Sequence, residues 1–151
     1  MRVSAKADYA IRAAVELAAA GAGPVKGDRV ARSQEIPLNF LENILVDLRN
    51  AGLVASKRGA DGGYWLARPA DEITLADVIR AVDGPLANVR GVRPEALEFA
   101  GTAEPLRDVW VAVRASLRAV LEHVTLADLA GGRLPGNVRE LAGDPDAWSP
   151  R

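Results

Sequence analysis

The most constraining feature of the sequence is an amphipathic helical pattern that ends at a glycine and leads directly into a glycine-tipped hairpin. Pro37 suits the first turn of a helix, where its missing N–H is not needed, and Gly52 suits the left-handed residue that closes one. The pattern therefore predicts a helix from Pro37 to Ala51. Its apolar residues recur at helical spacing and are expected to be buried: Leu38, Leu41, Ile44, Leu45 and Leu48.

The segments on either side of this helix complete a characteristic local order. Asp28 is placed to cap a short polar helix that reaches Ser33 or Gln34, and Glu35 then occupies a turn. After Gly52, LVASK predicts a strand, RGADGG a glycine-rich turn and YWLA a returning strand. Helix, turn, helix and hairpin in this order predict a winged helix-turn-helix.

Other helices are predicted from their caps. Ser4 is a suitable N-cap for a helix from Ala5 to about Ala20. Two TLAD segments, Thr74–Asp77 and Thr125–Asp128, have the form of capping boxes and predict two further helix starts. The buried side of the first helix is expected to hold Ala7, Ile11, Ala14, Val15 and Ala18.

The C-terminal half contains an apolar seam at alternating spacings of four and three, which is typical of a coiled coil. Its members are Leu106, Trp110, Val113, Leu117, Val120 and Val124. A helix of roughly twenty residues would be about 30 Å long, and we expect it to pair with the same helix of a second copy. Residues 131–151 have few apolar anchors apart from Trp148 and are expected to form a mostly disordered tail.

Four stretches, taken together and in order, resemble the Rrf2 family of bacterial transcription regulators over about residues 2–130. They are SAKADYAIRAAVELA, IPLNFLENILVDLRNAGLV, KRGADGGYWLARP and ITLADVIRAVDGP. The resemblance implies a homodimeric DNA-binding repressor or activator, often switched by an iron–sulfur cluster held by cysteines, and this chain has no cysteine. It divides the chain into a winged helix-turn-helix domain (1–82), a connecting loop and candidate sensor (83–104), a dimerisation helix with a following short helix (105–130) and the tail.

Side chains at the start of the second helix of the motif are the candidates for contacts with bases. Asparagine pairs with adenine and glutamate accepts from the cytosine amino group, so Asn39, Glu42 and Asn43 have suitable chemistry. Phe40 either belongs to this surface or enters the core, and a merely solvated polar face is the alternative for the other three. The resemblance implies that Glu42 reads bases, whereas Pro37 replaces a more usual serine.

Basic residues supply candidate contacts to the DNA backbone and minor groove. Lys57 and Arg58 precede the glycine turn of the hairpin, and the resemblance implies that Arg58 enters the minor groove. Asp61 departs from the family pattern and is expected to weaken this contact. Further candidates for phosphate contacts, with ordinary surface charge as the alternative, are Arg2, Lys6, Lys26 and Arg32.

Charge balance and missing residue types narrow the function classes. The whole chain has 19 Lys/Arg and 20 Asp/Glu, but residues 1–70 hold ten basic and seven acidic residues, against nine and thirteen in 71–151. Without cysteine there is no disulfide, thiolate metal site or cysteine nucleophile. His123 is the only histidine, and no paired catalytic constellation is present, so we expect neither an enzyme nor a resident metal or cofactor. Charges interrupt the first apolar segment, which predicts a cytoplasmic protein without a membrane span.

The connection at 83–104 is the candidate site for a regulatory ligand. Glycine and proline punctuate it, and one helical turn is predicted from Pro94 to Phe99. Asp8 lies near the place where the resemblance implies an acidic cluster ligand in some relatives, but we expect it to be solvated or to pair with Arg12 at i+4. The loop either packs on itself or closes over a small anionic or aromatic ligand beside the first and long helices, with these residues: Leu86, Val89, Arg90, Arg93 and Phe99.

Together these observations predict a sequence-specific DNA-binding regulator that acts as a homodimeric repressor on a pseudo-palindromic operator, without an iron–sulfur switch. The alternative is a winged-helix module that binds an enzyme or scaffold protein. The acidic residues Glu42 and Asp47 on the recognition helix, against only Arg49, favour that alternative.

Overall fold

The computed structural model describes residues 1–151 and is mainly helical, with one two-stranded antiparallel sheet. The predicted fold class, a mainly helical winged helix-turn-helix with a small hairpin, is confirmed. Short 3-10 segments interrupt the connections. The elements are α1 (Ala5–Ala20), α2 (Gly27–Gln34), α3 (Leu38–Asn50), β1 (Val54–Lys57), β2 (Gly63–Leu66), α4 (Leu75–Asp83), α5 (Leu106–Leu121), α6 (Leu126–Ala130) and α7 (Gly136–Gly143).

Helix α1 is the central helix of the core. Its N-terminus is capped as predicted, because the Ser4 hydroxyl accepts from the Ala7 N–H at 2.9 Å. The predicted core positions Ile11, Val15 and Ala18 are only half-buried. Small side chains dominate the contact with α3, α4 and α6, which lets the helix axes approach closely. The buried residues are Ala7, Ala10, Ala13, Ala14 and Leu17.

Helix α2 begins differently from the prediction. Its N-cap is Lys26, which makes no side-chain capping bond, and Asp28 lies inside the first turn. There Asp28 accepts from Arg32 one helical turn later, at 3.3 Å. Glu35 ends the helix in the left-handed conformation with φ 53°, so the turn into the next helix is as tight as predicted.

Helix α3 is one residue shorter at each end than predicted, with Pro37 at the N-cap. Gly52 follows with φ 76°, which is the left-handed geometry expected after the helix. Leu38 was expected in the buried stripe, but its side chain is 42% exposed because the first turn projects beyond the core. The other members of the stripe are completely buried: Leu41, Ile44, Leu45 and Leu48.

The wing is a hairpin attached to the chain that precedes α2. Val25 and Tyr64 exchange two backbone hydrogen bonds of 2.8 Å and form an isolated antiparallel bridge beside β2. Gly63 has φ 150°, and a Cβ there would lie 2.6 Å from the carbonyl oxygen of Val25. Only glycine allows this approach. In the hairpin, Val54 pairs with Leu66, Ala55 with Trp65, Ser56 with Tyr64 and Lys57 with Gly63.

Both predicted capping boxes are present. The Thr74 hydroxyl accepts from the Asp77 N–H at 3.1 Å, and the Asp77 carboxylate accepts from the Thr74 N–H at 3.0 Å. Thr125 and Asp128 make the same exchange at 3.1 and 2.9 Å. Each box therefore satisfies two backbone donors at the start of α4 and of α6.

The two capped segments lie side by side. The Leu75 N–H donates to the Val124 carbonyl at 2.9 Å, and the Leu126 N–H donates to the Ile73 carbonyl at 3.0 Å. Ile73 and Leu126 are both fully buried in the main core. This pairing returns the chain that follows α5 to the N-terminal domain.

Helix α5 is shorter than expected, and this changes the seam. Its 16 residues give a length of about 24 Å. Val124 is not a seam residue, because it lies beyond the helix end and is 2% exposed inside the chain's own core. None of the helix residues is fully buried, and Val109 is 52% exposed. We call the remaining half-buried residues the α5 seam: Leu106, Trp110, Val113, Leu117 and Val120.

The 83–104 connection is anchored and the tail is helical. Leu86 and Leu97 are buried, and the predicted helical turn is a 3-10 turn at Pro94–Ala96. The expectation that 131–151 is disordered is wrong, since it contains α7 and a 3-10 turn at Pro145–Trp148. The tail helix is short and buries no residue, so it lacked the apolar periodicity on which the prediction relied. No helix combines the length and apolar character needed to cross a membrane.

We predict that Gly63→Ala lowers the free energy of unfolding by about 1–3 kcal/mol, because the new Cβ collides with the Val25 backbone and φ is unfavourable. Urea unfolding followed by circular dichroism measures this difference. Gly136→Ala is the matched control, since a Cβ there meets nothing within 4 Å and φ is not positive. Equal unfolding midpoints for wild type and Gly63→Ala would contradict the packing described for the wing.

Candidate nucleic-acid interface

One face of α3 is exposed and its polar groups are free. Burial of the leucine stripe turns Asn39, Glu42 and Asn43 toward solvent, and none of them makes a side-chain hydrogen bond or ion pair within the chain. Amide and carboxylate groups in this state are able to bond external donors and acceptors. The three lie within the first two turns of the helix, which is the part that a helix-turn-helix presents to base edges.

Phe40 belongs to this exposed face and not to the core. Its side chain is 55% exposed, and its ring makes an edge-to-face contact with Tyr9 at a centroid distance of 6.3 Å. The Arg12 guanidinium lies 4.9 Å from the Tyr9 ring centroid and donates to the Gln34 carbonyl at 2.7 Å. These contacts connect α1, the end of α2 and the start of α3, so the orientation of the exposed face is fixed by three helices.

Tyr9 was missed by the sequence reasoning, because no local pattern signals its contact with a ring 31 positions later in the chain. Asp8, by contrast, pairs with Arg12 at 3.0 Å as predicted from their spacing. The acidic residue is therefore engaged on the surface of α1.

The wing presents two unpaired cations. Lys57 and Arg58 are exposed and have no acidic partner, and Asp61 does not reach either of them. The turn itself is held in place, since Lys26 donates to the Gly59 carbonyl at 2.8 Å. Gly62 packs so tightly that a Cβ would lie 2.0 Å from the carbonyl oxygen of Lys57. The tip is thus positioned by contacts to its backbone, and its charged side chains remain free.

Two other predicted phosphate contacts are placed differently. The Lys6 ammonium lies 2.6 Å from the Asp47 carboxylate on α3, so both charges are engaged within the chain. Arg2 lies at the rim of a cleft bounded by α4 and α5, where Asp83, Leu117 and other residues also contribute. The structure does not bring Arg2 together with the exposed face of α3.

The predicted effector residues are divided among separate surroundings. A cleft of about 470 Å³ lies between the N-terminus, α4, the connection and α5, and of the predicted set only Leu86 lines it. The Cζ atom of the Arg90 guanidinium lies over the Phe99 ring, 5.9 Å from its centroid. Val89 forms a small backbone bridge with Val92. Arg93 lines a neighbouring cleft of about 400 Å³ together with other arginines.

The residues present do not fit an iron–sulfur cluster. Such clusters are held by cysteine thiolates, with histidine as an occasional substitute, and the chain has one histidine and no cysteine. No group of three or more histidine, aspartate or glutamate side chains is close enough to hold a metal ion.

The compact helical core, the exposed helix and the wing define a DNA-binding transcription regulator of the winged helix-turn-helix class. The chain belongs to the Rrf2 family, because residues 3–132 match the family model described as an iron-dependent transcriptional regulator. The resemblance noted in the sequence is thereby confirmed.

Named relatives agree with this assignment. The chain is 55% identical over 145 residues to a candidate HTH-type transcriptional regulator of Mycobacterium tuberculosis, covering 95% of this chain and 90% of that protein. The solved structure of CymR, titled the global cysteine regulator of Bacillus subtilis, matches with a TM-score of 0.74 and 36% identity over 87% of this chain and 98% of that one. The structure of IscR from T. potens matches with a TM-score of 0.69 and 33% identity, covering 100% and 93%.

Proposed function

We propose that this protein is a repressor that binds a pseudo-palindromic operator as a homodimer and is not switched by an iron–sulfur cluster. The observation that carries the proposal is the exposed, unpartnered polar face at the start of α3, together with the free cations of the wing. A repressor function follows if the bound dimer excludes other proteins from the DNA that it covers.

The proposed reading of DNA assigns separate tasks to helix and wing. Asn39 and Asn43 bond adenine edges, and Glu42 accepts from a cytosine amino group in the major groove. Phe40 is placed beside them for contact with a thymine methyl group. Arg58 enters the minor groove from the wing tip, where a narrow A·T-rich groove concentrates negative potential.

Phosphate contacts are proposed mainly for the wing. Lys57 is exposed and unpaired, whereas Lys6 is occupied by Asp47. Lys6 is therefore proposed to hold α3 in position through its ion pair with Asp47. It adds a phosphate contact only if its ammonium group binds the phosphate and Asp47 at the same time. Arg2 is retained as a peripheral phosphate contact at the rim of the N-terminal cleft.

The alternative, a module that binds another protein, loses part of its support. It rested on two acidic residues of the recognition helix, but Asp47 is neutralised by Lys6 at 2.6 Å. Glu42 remains as the one free acidic group of that pair, which is compatible with a base contact. Stoichiometric co-purification with another protein, together with indifference to DNA, would favour the alternative.

The homodimer is proposed from the α5 seam. Its apolar side chains are only half-buried by their own chain, and the adjacent Val109 is largely exposed. Complete burial of a large apolar side chain contributes about 1.5–3 kcal/mol, so pairing with a second copy of the helix is favourable. A twofold dimer also places two recognition helices at a fixed spacing, which a pseudo-palindrome requires.

We expect the purified protein to enrich one family of sequences from genomic fragments at moderate salt, with affinity falling steeply as salt rises. Glu42→Ala and Arg58→Ala should each weaken binding to that site by about 1–3 kcal/mol, measured by fluorescence anisotropy. Glu140→Ala and Arg139→Ala are matched controls, since both residues lie exposed on α7 without an ion pair. Absence of any enriched sequence, or equal losses in the controls, would refute the proposed interface.

We expect Val113→Asp to split the dimer and to abolish operator binding together, because the charge is introduced into the α5 seam. Sedimentation velocity at micromolar concentration measures the change in mass. Ala115→Asp is the control, since Ala115 is exposed on the side of the same helix opposite the α5 seam. A wild-type protein that sediments as a monomer, or an intact dimer for Val113→Asp, would contradict the proposed interface.

Anaerobically purified protein is expected to be colourless and free of stoichiometric iron and sulfide, because no thiolate ligand is present. Operator affinity should then be unchanged by oxygen or nitric oxide. A cysteine-containing relative, purified and reconstituted in parallel, serves as the positive control. A charge-transfer absorption band that tracks DNA binding would overturn this part of the proposal.

A further inference from the structure

Four arginines converge on one cleft outside the proposed DNA surface. The cleft has a volume of about 400 Å³ and lies between the end of α4, the 83–104 connection and α5. Leu86 is its single hydrophobic lining residue. Its cationic residues, which define what we call the arginine cleft, are Arg80, Arg93, Arg114 and Arg118.

The cations outnumber the acidic groups that face them. Arg114 pairs with Glu95, and Arg80 and Arg118 share one carboxylate oxygen of Glu122 at 2.5 and 3.0 Å. Arg93 makes no ion pair within 4 Å, although its charge also contributes to lowering the pKa of Glu95. Four guanidinium groups therefore meet two carboxylates, which leaves an excess of two positive charges in the cleft.

Both carboxylates remain charged. Hydrogen bonds from Arg80 and Arg118 lower the pKa of Glu122 from its ordinary value of 4.5. A backbone hydrogen bond, assisted by Arg114, lowers the pKa of Glu95. The excess of two positive charges therefore holds at neutral pH with both carboxylates ionised.

The connection and Arg114 are held in place by packing, whereas the side chains of Arg80 and Arg118 are 39% and 51% exposed. Leu86, Pro94 and Leu97 are buried and fix the connection against the rest of the chain. Arg114 is 22% exposed, which limits its freedom to swing into solvent. Guanidinium groups that are already ordered lose less conformational freedom when a ligand arrives.

We propose that the arginine cleft is a binding site for a small multivalent oxyanion that carries two or more carboxylate or phosphate groups. A guanidinium group matches the two oxygens of either group with parallel N–H donors. Glu95 and Glu122 occupy some of these donors through single contacts, which leaves other N–H groups of the same guanidinium groups for a ligand. Four cationic lining residues against one hydrophobic residue favour the anionic ligand over the aromatic one that the loop sequence had also allowed.

The site joins the DNA-binding domain to the long helix. Arg80 belongs to α4, whereas Arg114 and Arg118 belong to α5. A bound anion would therefore compete with Glu122 for the arginines that connect these two helices. Of the effector residues predicted from sequence, only Leu86 and Arg93 line this cleft.

Isothermal titration calorimetry on the full chain tests the site with three probes at constant ionic strength: citrate, inorganic phosphate and pyrophosphate. We expect saturable binding of citrate or pyrophosphate, tighter than that of inorganic phosphate, which has a single phosphate group, and weakened about tenfold or more by Arg93→Ala and by Arg114→Ala. Glu95→Gln should tighten binding several-fold, because it releases Arg114. Arg107→Ala is the matched control, since Arg107 also lies on α5 but outside the cleft.

The outcomes distinguish the two chemical classes of ligand from each other and from the absence of a specific site. Binding of citrate alone assigns polycarboxylates, and binding of pyrophosphate assigns compounds with several phosphate groups. No saturable binding of citrate or pyrophosphate, or equal weakening by Arg107→Ala, overturns the site. Arg93→Ala decides the matter if Arg114→Ala proves unstable by circular dichroism, because Arg93 makes no ion pair. The test needs no DNA, so its result is independent of the proposed operator binding.

Discussion

Burial of one face of α3 is the constraint on which the rest of the structure depends. Leu41, Ile44, Leu45 and Leu48 are completely inaccessible, and each contributes about 1.5–3 kcal/mol by leaving water. Packing them against α1 fixes the rotation of α3 about its axis, so its polar residues must face outward. Leu53 and Val54 continue into the same core, which also sets the direction in which the hairpin leaves the helix.

A second level of order comes from the paired helix starts of α4 and α6. Their capping boxes satisfy backbone donors locally, and their flanking residues exchange hydrogen bonds across the pair. As a result α5 is tethered at its C-terminal end to the domain that contains α3. The ion pairs of Arg80 and Arg118 with Glu122 reinforce the same junction.

The features that could be predicted from sequence were those with local physical causes. The periodic leucines gave α3 within one residue at each end, and the TLAD segments gave both capped helix starts. One failure shows the effect of distant packing. Val124 continued the spacing of the long helix but belongs to the core, because the chain turns back to pair with Leu75. The predicted effector residues are neighbours in sequence but lie in separate surroundings, and Leu86 and Arg93 meet charges that come mostly from α4 and α5.

The attachment of the wing to the segment before α2 has a consequence for protein engineering. Val25 pairs with Tyr64 of the hairpin in an antiparallel bridge. The Lys26 ammonium group holds the hairpin turn by donating to the Gly59 carbonyl. The wing is therefore not a modular unit that ends at residues 53 and 67. A chimera that exchanges the wing between relatives would have to transplant residues 24–27 with it. Otherwise the recipient's own segment would have to pair with a hairpin that packs against a different sequence in its parent protein.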